Sequence, residues 1–499
     1  MGPKLKIRFE RMKMKMKIRS DSMRGIESVR LSVAGCVIAG AAFFPAMNSL
    51  AQAPATPAPS AKQTTAPPPA VAPAQPVDAA PAAPQAIVPP APQTQPRLLV
   101  RAGHLLDVRT GAEPTSMTVI VIGDKVTAIA PTVSTPRLPG DREVDLTKYT
   151  VMPGMIDVHT HLTMTTNFDP YFELSMTPAK AAIIGVENAK VTLEAGFTSV
   201  RNVGASDYAD VALRDEINLE HIPGPHMQVS GPALGITGGH CDDDLLPYEY
   251  HKTSEGVADG VAAVQQKVRQ NIKYGADLIK VCATGGVLSK GDDPQASQYT
   301  REELAAIVQD AHRLGRKVAA HAHGAQGILW ATEAGVDSIE HGSYIDDAGI
   351  AAMKAHGTYL VPTAYLVDWN REFGHLGPLY DQKMMEVSSV EKRTAKKAIA
   401  AGVKVAMGTD AAVYPHGLNA REINVYVNQF GMTPLAGIQT ATINAADLMG
   451  WSDRVGSLEP GKWADIIAMD GDPLQDVHVL QRIKFVMKAG LVYKDETRY

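Results

Sequence analysis

The stretch Val151-Met-Pro-Gly-Met-Ile-Asp-Val-His-Thr-His-Leu162 constrains this chain more than any other: an apolar run opened by a Pro-Gly turn and closed by two histidines one residue apart. Val151, Ile156 and Val158 favour a buried strand, in which side chains at i and i+2 point the same way. His159 and His161 therefore face one side together. Two neutral imidazoles so placed read as the first half of a metal site, since imidazole nitrogen is a common zinc ligand.

Downstream, strand-like apolar runs alternate with alanine-rich helical stretches, the pattern of a parallel sheet. Eight strands are predicted, over residues 155–162, 198–203, 226–230, 278–283, 317–321, 338–341, 359–363 and 404–410. Helices over 178–195, 254–274, 301–314 and 390–401 separate several of them. Eight repeats favour an α/β fold of the (β/α)8 barrel type, over 151–450, against an open doubly wound sheet. Residues 97–150 and 451–499 read as short strands around Gly-Asp and Pro-Gly turns. They predict a small composite β-sandwich domain built from both ends of the chain.

Polar residues collect at the predicted strand ends. The fourth strand carries Lys280 inside an apolar run, the fifth ends His321-Ala-His323-Gly, the sixth Ile-Glu-His341-Gly, and the eighth Gly-Thr-Asp410-Ala. Taken singly, a strand-end histidine is a satisfied structural residue and a strand lysine snorkels to solvent. Their recurrence at the same ends of successive strands, where barrel enzymes gather their catalytic groups, points to one site.

From about residue 97 to 493 the chain resembles the amidohydrolase superfamily, in the binuclear-metal branch that includes imidazolonepropionase, Xaa-Pro dipeptidases and ochratoxin-degrading enzymes. The motifs that carry the resemblance are PGMIDVHTHL, DLIKVCATGG, VAAHAHG, SIEHG, GTDA and GSLEPGKWADI. The resemblance implies two zinc ions per chain: His159, His161 and Asp410 on the more buried one, His321 and His341 on the second. Lys280 would bridge them as a carbamate formed with CO2. An ammonium cannot ligate a cation, and a lysine in an apolar strand has a lowered pKa that frees its amine to react. The lysine argues for amide hydrolysis over deamination. A water shared by two zinc ions is acidic enough to ionise near neutral pH and attack a carbonyl that one metal polarises. Asp410 would take its proton and pass it to the leaving nitrogen.

Substrate contacts are less readable. His240, in the loop after the third strand, could hydrogen-bond the scissile carbonyl or the oxyanion. His323 is a candidate for supporting the site or touching substrate, and Tyr248, Tyr299, His416 and Arg421 for gripping a carboxylate. The expected substrate is a small-molecule amide: a dipeptide or N-acyl amino acid, of the Xaa-Pro or ochratoxin type. One alternative is a cyclic-amide hydrolase of the imidazolonepropionase type, against which a secretory leader counts. Another is an inactive barrel serving as a scaffold, against which the six filled positions count.

Net charge is −5, so the totals do not suggest a nucleic-acid partner. At 45% hydrophobic and 20% charged residues, the 499-residue chain suits one large globular domain with a smaller one. A basic stretch, an apolar run over 31–46 and Ala51-Gln-Ala53 read as a signal peptide over 1–53, placing the protein outside the cell or in the periplasm. The apolar run is shorter than the roughly 18 residues a membrane helix needs, so no stable membrane insertion is expected. Val33-Ala-Gly-Cys36 resembles a lipoprotein box, but the apolar segment continues past the cysteine. Residues 54–96, nearly all Pro, Ala, Gln and Thr, read as a disordered spacer. Cys241 and Cys282 read as free thiols or one bridge, and a homo-oligomer is expected.

Overall fold

The computed structural model describes residues 96–497 except 168, 375 and 376. The expected signal peptide with Cys36, and the spacer up to its last residue, lie outside the described residues. The first four strands, β1 (Leu98–Leu105), β2 (Thr115–Ile122), β3 (Lys125–Pro131) and β4 (Arg142–Pro153), come from runs rich in β-branched residues. β2 and β3 form a hairpin turned at Gly123-Asp124, where Gly123 takes φ +62° as the tight turn requires.

The middle of the chain supplies two parallel sheets. One joins β5 (Met155–Thr160), β6 (Phe197–Asn202) and β7 (His226–Val229). The other joins β8 (Leu278–Cys282), β9 (Lys317–Ala322), β10 (Ser338–His341) and β11 (Tyr359–Val361). Every residue of β5, β6, β8, β10 and β11 is buried, as strands covered on both faces demand. Leu234, after β7, exchanges backbone bonds with β8: its N–H donates to the Lys280 carbonyl, and the Cys282 N–H donates to its own (both 2.8 Å).

The expected eighth strand is not a regular strand, and this corrects the reading of 404–410. Its backbone still bonds on both sides. Leu360 N–H donates to the Lys404 carbonyl (2.8 Å) and Ala406 N–H to the Leu360 carbonyl (3.1 Å); Val158 N–H donates to the Met407 carbonyl (2.9 Å). Met407 N–H turns away to the Thr440 carbonyl (2.9 Å), which interrupts the ladder. Gly408 sits so close to β5 that a Cβ there would lie 2.6 Å from the His159 Cβ; only glycine lets the segment press against the histidine.

Helices cover the sheets. Those at Pro178–Glu194 and Arg301–Arg313 match their expected bounds to one residue, each started by a threonine cap, the second a full capping box of Thr300 and Glu303. The expected 254–274 helix begins later, as Val261–Lys273, because Gly260 at φ +85° cannot be helical. The expected 390–401 helix is longer, Pro378–Ala400, with proline at its first turn.

The chain closes with β12 (Ile466–Met469), β13 (Ile483–Lys488) and β14 (Leu491–Asp495), which return to the first strands in the order β14-β13-β12-β4-β1-β2-β3. These seven strands form one hydrogen-bonded sheet, where two facing sheets of a sandwich were expected. Register shifts in β1, β2, β12 and β13 bend it. Val100, Val119, Leu146, Ile466 and Phe485, from both ends of the chain, share its core. Among the described residues no helix is long and apolar enough to cross a membrane.

Cys241, in the loop after β7, is bonded to Cys282 at the end of β8. The bridge closes a 41-residue loop, for which chain entropy predicts about 4 kcal/mol of stabilisation. The Cys241→Ala/Cys282→Ala double variant is therefore expected to lose up to about 4 kcal/mol of unfolding free energy. An unchanged urea midpoint would show that the bridge does not hold the loop.

Candidate active site

His159 is the last residue but one of β5, and His161 follows directly after the strand's end at Thr160. The 404–411 segment brings Asp410 against both: its Oδ1 lies 3.5 Å from His159 Nε2 and 3.1 Å from His161 Nε2. Their other ring nitrogens are tied to the fold. His159 Nδ1 lies 2.8 Å from Glu340 Oε2, and His161 Nδ1 lies 3.3 Å from the Gly204 carbonyl. The same holds across the site. His321 Nε2 meets the Gly285 carbonyl (3.2 Å), His341 Nδ1 meets Thr363 Oγ1 (2.7 Å), and His323 Nδ1 meets Ser343 Oγ (2.8 Å). Each ring thus has one nitrogen anchored and one facing its neighbours, the arrangement that orients imidazole for a cation.

The rings form a continuous cluster. Centroids are 5.1 Å apart for His159 and His341, 4.7 Å for His341 and His321, and 4.2 Å for His321 and His240. Two groups hold their ligand atoms within 4.8 Å of one another: His159, His341 and Asp410, and His321, His323 and His341. Lys280 lines the same cavity of about 400 Å³ as His159, His161, His240, His321, His341 and Asp410. The structure therefore brings together all six side chains singled out as metal-binding, with His240 and His323 beside them.

Backbone strain marks the same place. His341, Thr363 and Asp410 have φ of +69°, +51° and +58°, a region that L-residues with side chains avoid. The turn at His341 lets Glu340 and His341, adjacent in sequence, both contribute to one site. Such strain persists where surrounding contacts over-determine it.

Burial sets the charge states. It holds His321 and His341 well below the usual histidine range and His323 at about 3, with repulsion from neighbouring imidazoles adding to it. They are neutral, the form that ligates. Burial opposes ionisation of Asp410, but His159 and His161 outweigh it and hold the carboxyl well below its ordinary value. Lys280 is brought down to about 8 by burial, with Glu340 and Asp410 countering.

Beneath the cluster lies a network that sequence reasoning missed. Arg201 on β6 donates to Glu340 Oε1 (2.7 Å), to Ser338 Oγ (3.1 Å) and to the Val158 carbonyl (2.5 Å). Asp157 accepts from Thr409 Oγ1 (2.6 Å), Asn419 Nδ2 (2.7 Å) and the His159 amide (3.0 Å), fastening β5 to the Asp410 segment. The available signal was a charged residue inside an apolar strand run, which Asp157, Arg201 and Glu340 share with Lys280.

His240 Nδ1 lies 2.9 Å from Ser289 Oγ, which itself donates to Asp292 Oδ1 (2.8 Å). Asp292, beside Lys383, is held ionised against its burial and takes the hydroxyl hydrogen. His240 must then donate from Nδ1, leaving Nε2 a bare acceptor. Burial keeps the ring neutral, with a pKa of about 4. This tautomer departs from the expected donor to the oxyanion.

Four weaker candidates line none of the three cavities around the cluster. Tyr248 is exposed, in the single turn Tyr248–Tyr250. Tyr299 is buried in the core, its hydroxyl donating to the Ala258 carbonyl (3.1 Å). His416 packs beside Thr192, and Arg421 is taken up by Tyr365, whose hydroxyl is 2.5 Å away. The expectation that these four grip substrate is corrected: Tyr299, His416 and Arg421 are engaged elsewhere, and Tyr248 stands exposed away from the cavities.

Residues 150–492 match the Amidohydrolase family. The chain is 34% identical over 420 residues to an ochratoxinase of Aspergillus niger, covering 77% of this chain and 84% of that one. Among solved structures, a Xaa-Pro dipeptidase with methionine bound in its active site is 35% identical with a TM-score of 0.75; the match covers 80% of this chain and all of that one. A prolidase complexed with N-methylphosphonate-L-proline is 30% identical with a TM-score of 0.73, at the same coverage.

Proposed function

The chain belongs to the amidohydrolase family and is a hydrolase of carbon–nitrogen bonds, and from that premise we propose a binuclear zinc enzyme cleaving dipeptides or N-acyl amino acids. One observation carries the reading: each histidine of the cluster has one ring nitrogen tied to the fold while the other faces the Asp410 carboxylate or a neighbouring ring. The donor groups His159, His341 and Asp410, and His321, His323 and His341, support a metal site here. His159, His161 and Asp410 would hold one, His321 and His341 the other, and Lys280 would join both as its carbamate, since burial has already lowered the cost of its neutral amine.

Bound zinc supplies a more acidic water and a Lewis acid for the scissile carbonyl. The residues do the rest. Asp410, ionised and facing the cavity, accepts a proton and returns it to the leaving nitrogen. His240, with Nε2 a bare acceptor, would take a hydrogen bond from a donor group of the substrate, which in an Xaa-Pro dipeptide is the α-ammonium since the scissile nitrogen carries no hydrogen. Support for the substrate class comes from the ochratoxinase and prolidase relatives.

The proposal includes closure of the two parallel sheets into a (β/α)8 barrel, supported by the backbone bonds of Leu234 and of 404–411. It also includes export through the basic and apolar leader, which N-terminal sequencing of the mature protein tests, and association into a homo-oligomer, which light scattering tests.

Metal analysis with an activity screen is the central experiment. The purified chain is expected to carry about two zinc ions, to cleave Xaa-Pro dipeptides, N-acyl aromatic amino acids or ochratoxin-type amides, and to lose the activity to a chelator and regain it with zinc. Absence of tightly bound metal, or activity on cyclic amides alone, would overturn the reading.

A further inference from the structure

A second, smaller cavity adjoins the site beside His323 and His341. Its wall includes Val287, Val367, Met384 and Val387, one buried apolar cluster. Glu391, from the helix Pro378–Ala400, lines it too. This residue is 4% exposed, and among the described residues its carboxyl feels the charges of Glu422, Lys392 and Asp368 with no hydrogen bond to any of them. The neighbouring Lys392 reaches Asp368 instead (2.8 Å).

Other buried carboxyls of this region are satisfied. Glu340 has Arg201, Asp157 has Thr409 and Asn419, and Glu422 accepts the amides of Ala364 and Tyr365 (both 2.7 Å). Buried polar groups are paired as a rule, and an exception facing a cavity beside a reaction centre calls for a partner from outside the chain.

We propose that Glu391 is a specificity-determining residue that receives the ammonium tip of a substrate side chain, so that the preferred amide carries a lysine-type residue. The proposal rests on the amide-hydrolase reading above and deepens it. Burial, with Glu422 adding to it, pushes the Glu391 carboxyl well above its ordinary value, so it stands neutral in the empty cavity; an ammonium brought in on a methylene stem along the apolar wall would supply the counter-charge that lets it ionise. The cavity, about 50 Å³, holds three or four water-sized groups at roughly 10–15 Å³ each, which suits the end of a straight alkyl chain and not an aromatic ring. The approach is acidic as well. Asp207, Asp242 and Asp243 line the mouth against Lys252, a field that draws in a cationic substrate.

The test pairs lysine with norleucine, its uncharged counterpart of the same stem, in Ala-Lys against Ala-norleucine and Nα-acetyl-lysine against N-acetyl-norleucine. Zinc-loaded wild-type protein is expected to favour the lysine member at least tenfold in kcat/KM, chiefly through KM. In Glu391→Gln that ratio should fall at least tenfold. A second measurement needs no variant: n-pentylamine should inhibit the wild type competitively and more strongly than 1-pentanol. A lysine ratio near one in the wild type, a ratio unchanged in Glu391→Gln, or equal inhibition by the two probes overturns the inference. Ala-Pro and N-acetyl-phenylalanine separate the two levels of the argument. If either is cleaved while the lysine ratio stays near one, this inference alone falls; if nothing in the panel is cleaved, the amide-hydrolase reading falls with it.

Discussion

Lys280→Met is expected to lower kcat/KM on amide substrates by more than about 100-fold while leaving the chain folded, the upper end of what losing a group that orients metal ligands costs. Lys280 is buried on β8, and burial brings its pKa to about 8, so at pH 7 roughly a tenth of the amine is uncharged and able to add CO2, far more than for an exposed lysine. Methionine keeps the volume of the stem and removes the nitrogen. Compared metal-free, the variant should melt no lower than the parent, since methionine spares the cost of burying the lysine nitrogen; the zinc-loaded forms should differ by the stabilisation that the lost metal supplied. Zinc content should drop below two per chain. Parent-level turnover in this variant would remove the lysine from the centre and, with it, the case for a shared pair of metals.

Glu340→Gln is expected to be costly in a different way. Arg201 and Glu340 are both buried, with Nη2 and Oε1 2.7 Å apart, while the other carboxylate oxygen holds His159. Neutralising the carboxylate leaves a buried guanidinium unpaired, for which about 3–5 kcal/mol of stability is the usual loss. It also frees the His159 ring, so metal affinity should weaken by about 10–100-fold. Burial works against the Glu340 carboxylate, but Arg201 and His159 together hold its pKa at about 2, below the ordinary glutamate value. A depressed carboxylate contributes stability that is fully present above the unfolded value, near 4.5, and is lost as pH falls through the folded value, near 2. Acid unfolding between these limits should be steeper in the parent than in Glu340→Gln. The Arg201→Met/Glu340→Gln double variant should be more stable than the sum of the single losses, since it removes the orphaned charge. Additive losses measured by urea denaturation would show that the pair does not act as a unit.

Much of this was legible in the chain. The i, i+2 spacing of His159 and His161 survives folding because strand geometry has period two, and β5 is a strand. Lys280, His321, His341 and Asp410 stand out because a polar group in an apolar strand run must have a use. The same reasoning, applied to the charges in TSVRNVG, SIEHG and PGMIDVH, would have found Arg201, Glu340 and Asp157. What failed was the assignment of exposed-looking polar residues. Tyr299, His416 and Arg421 carry suitable chemistry, but whether a side chain meets the cavity or the core depends on neighbours 41, 224 and 56 residues away.

By itself, the sequence determined the α/β alternation, seven of the eight strands expected of the middle region and the side chains that meet at one end of them, because hydrophobic period and strand length are local properties. Only the tertiary structure decided which nitrogen of each histidine faces inward, that Cys241 meets Cys282, that the two ends of the chain, expected to join in a sandwich, form one sheet, and that no hydrogen bond holds the Glu391 carboxyl beside the site. Those are matters of packing: hydrogen-bond tautomers, bridges and orphaned charges are set by what a distant segment places within about 3 Å, and no local pattern records that distance.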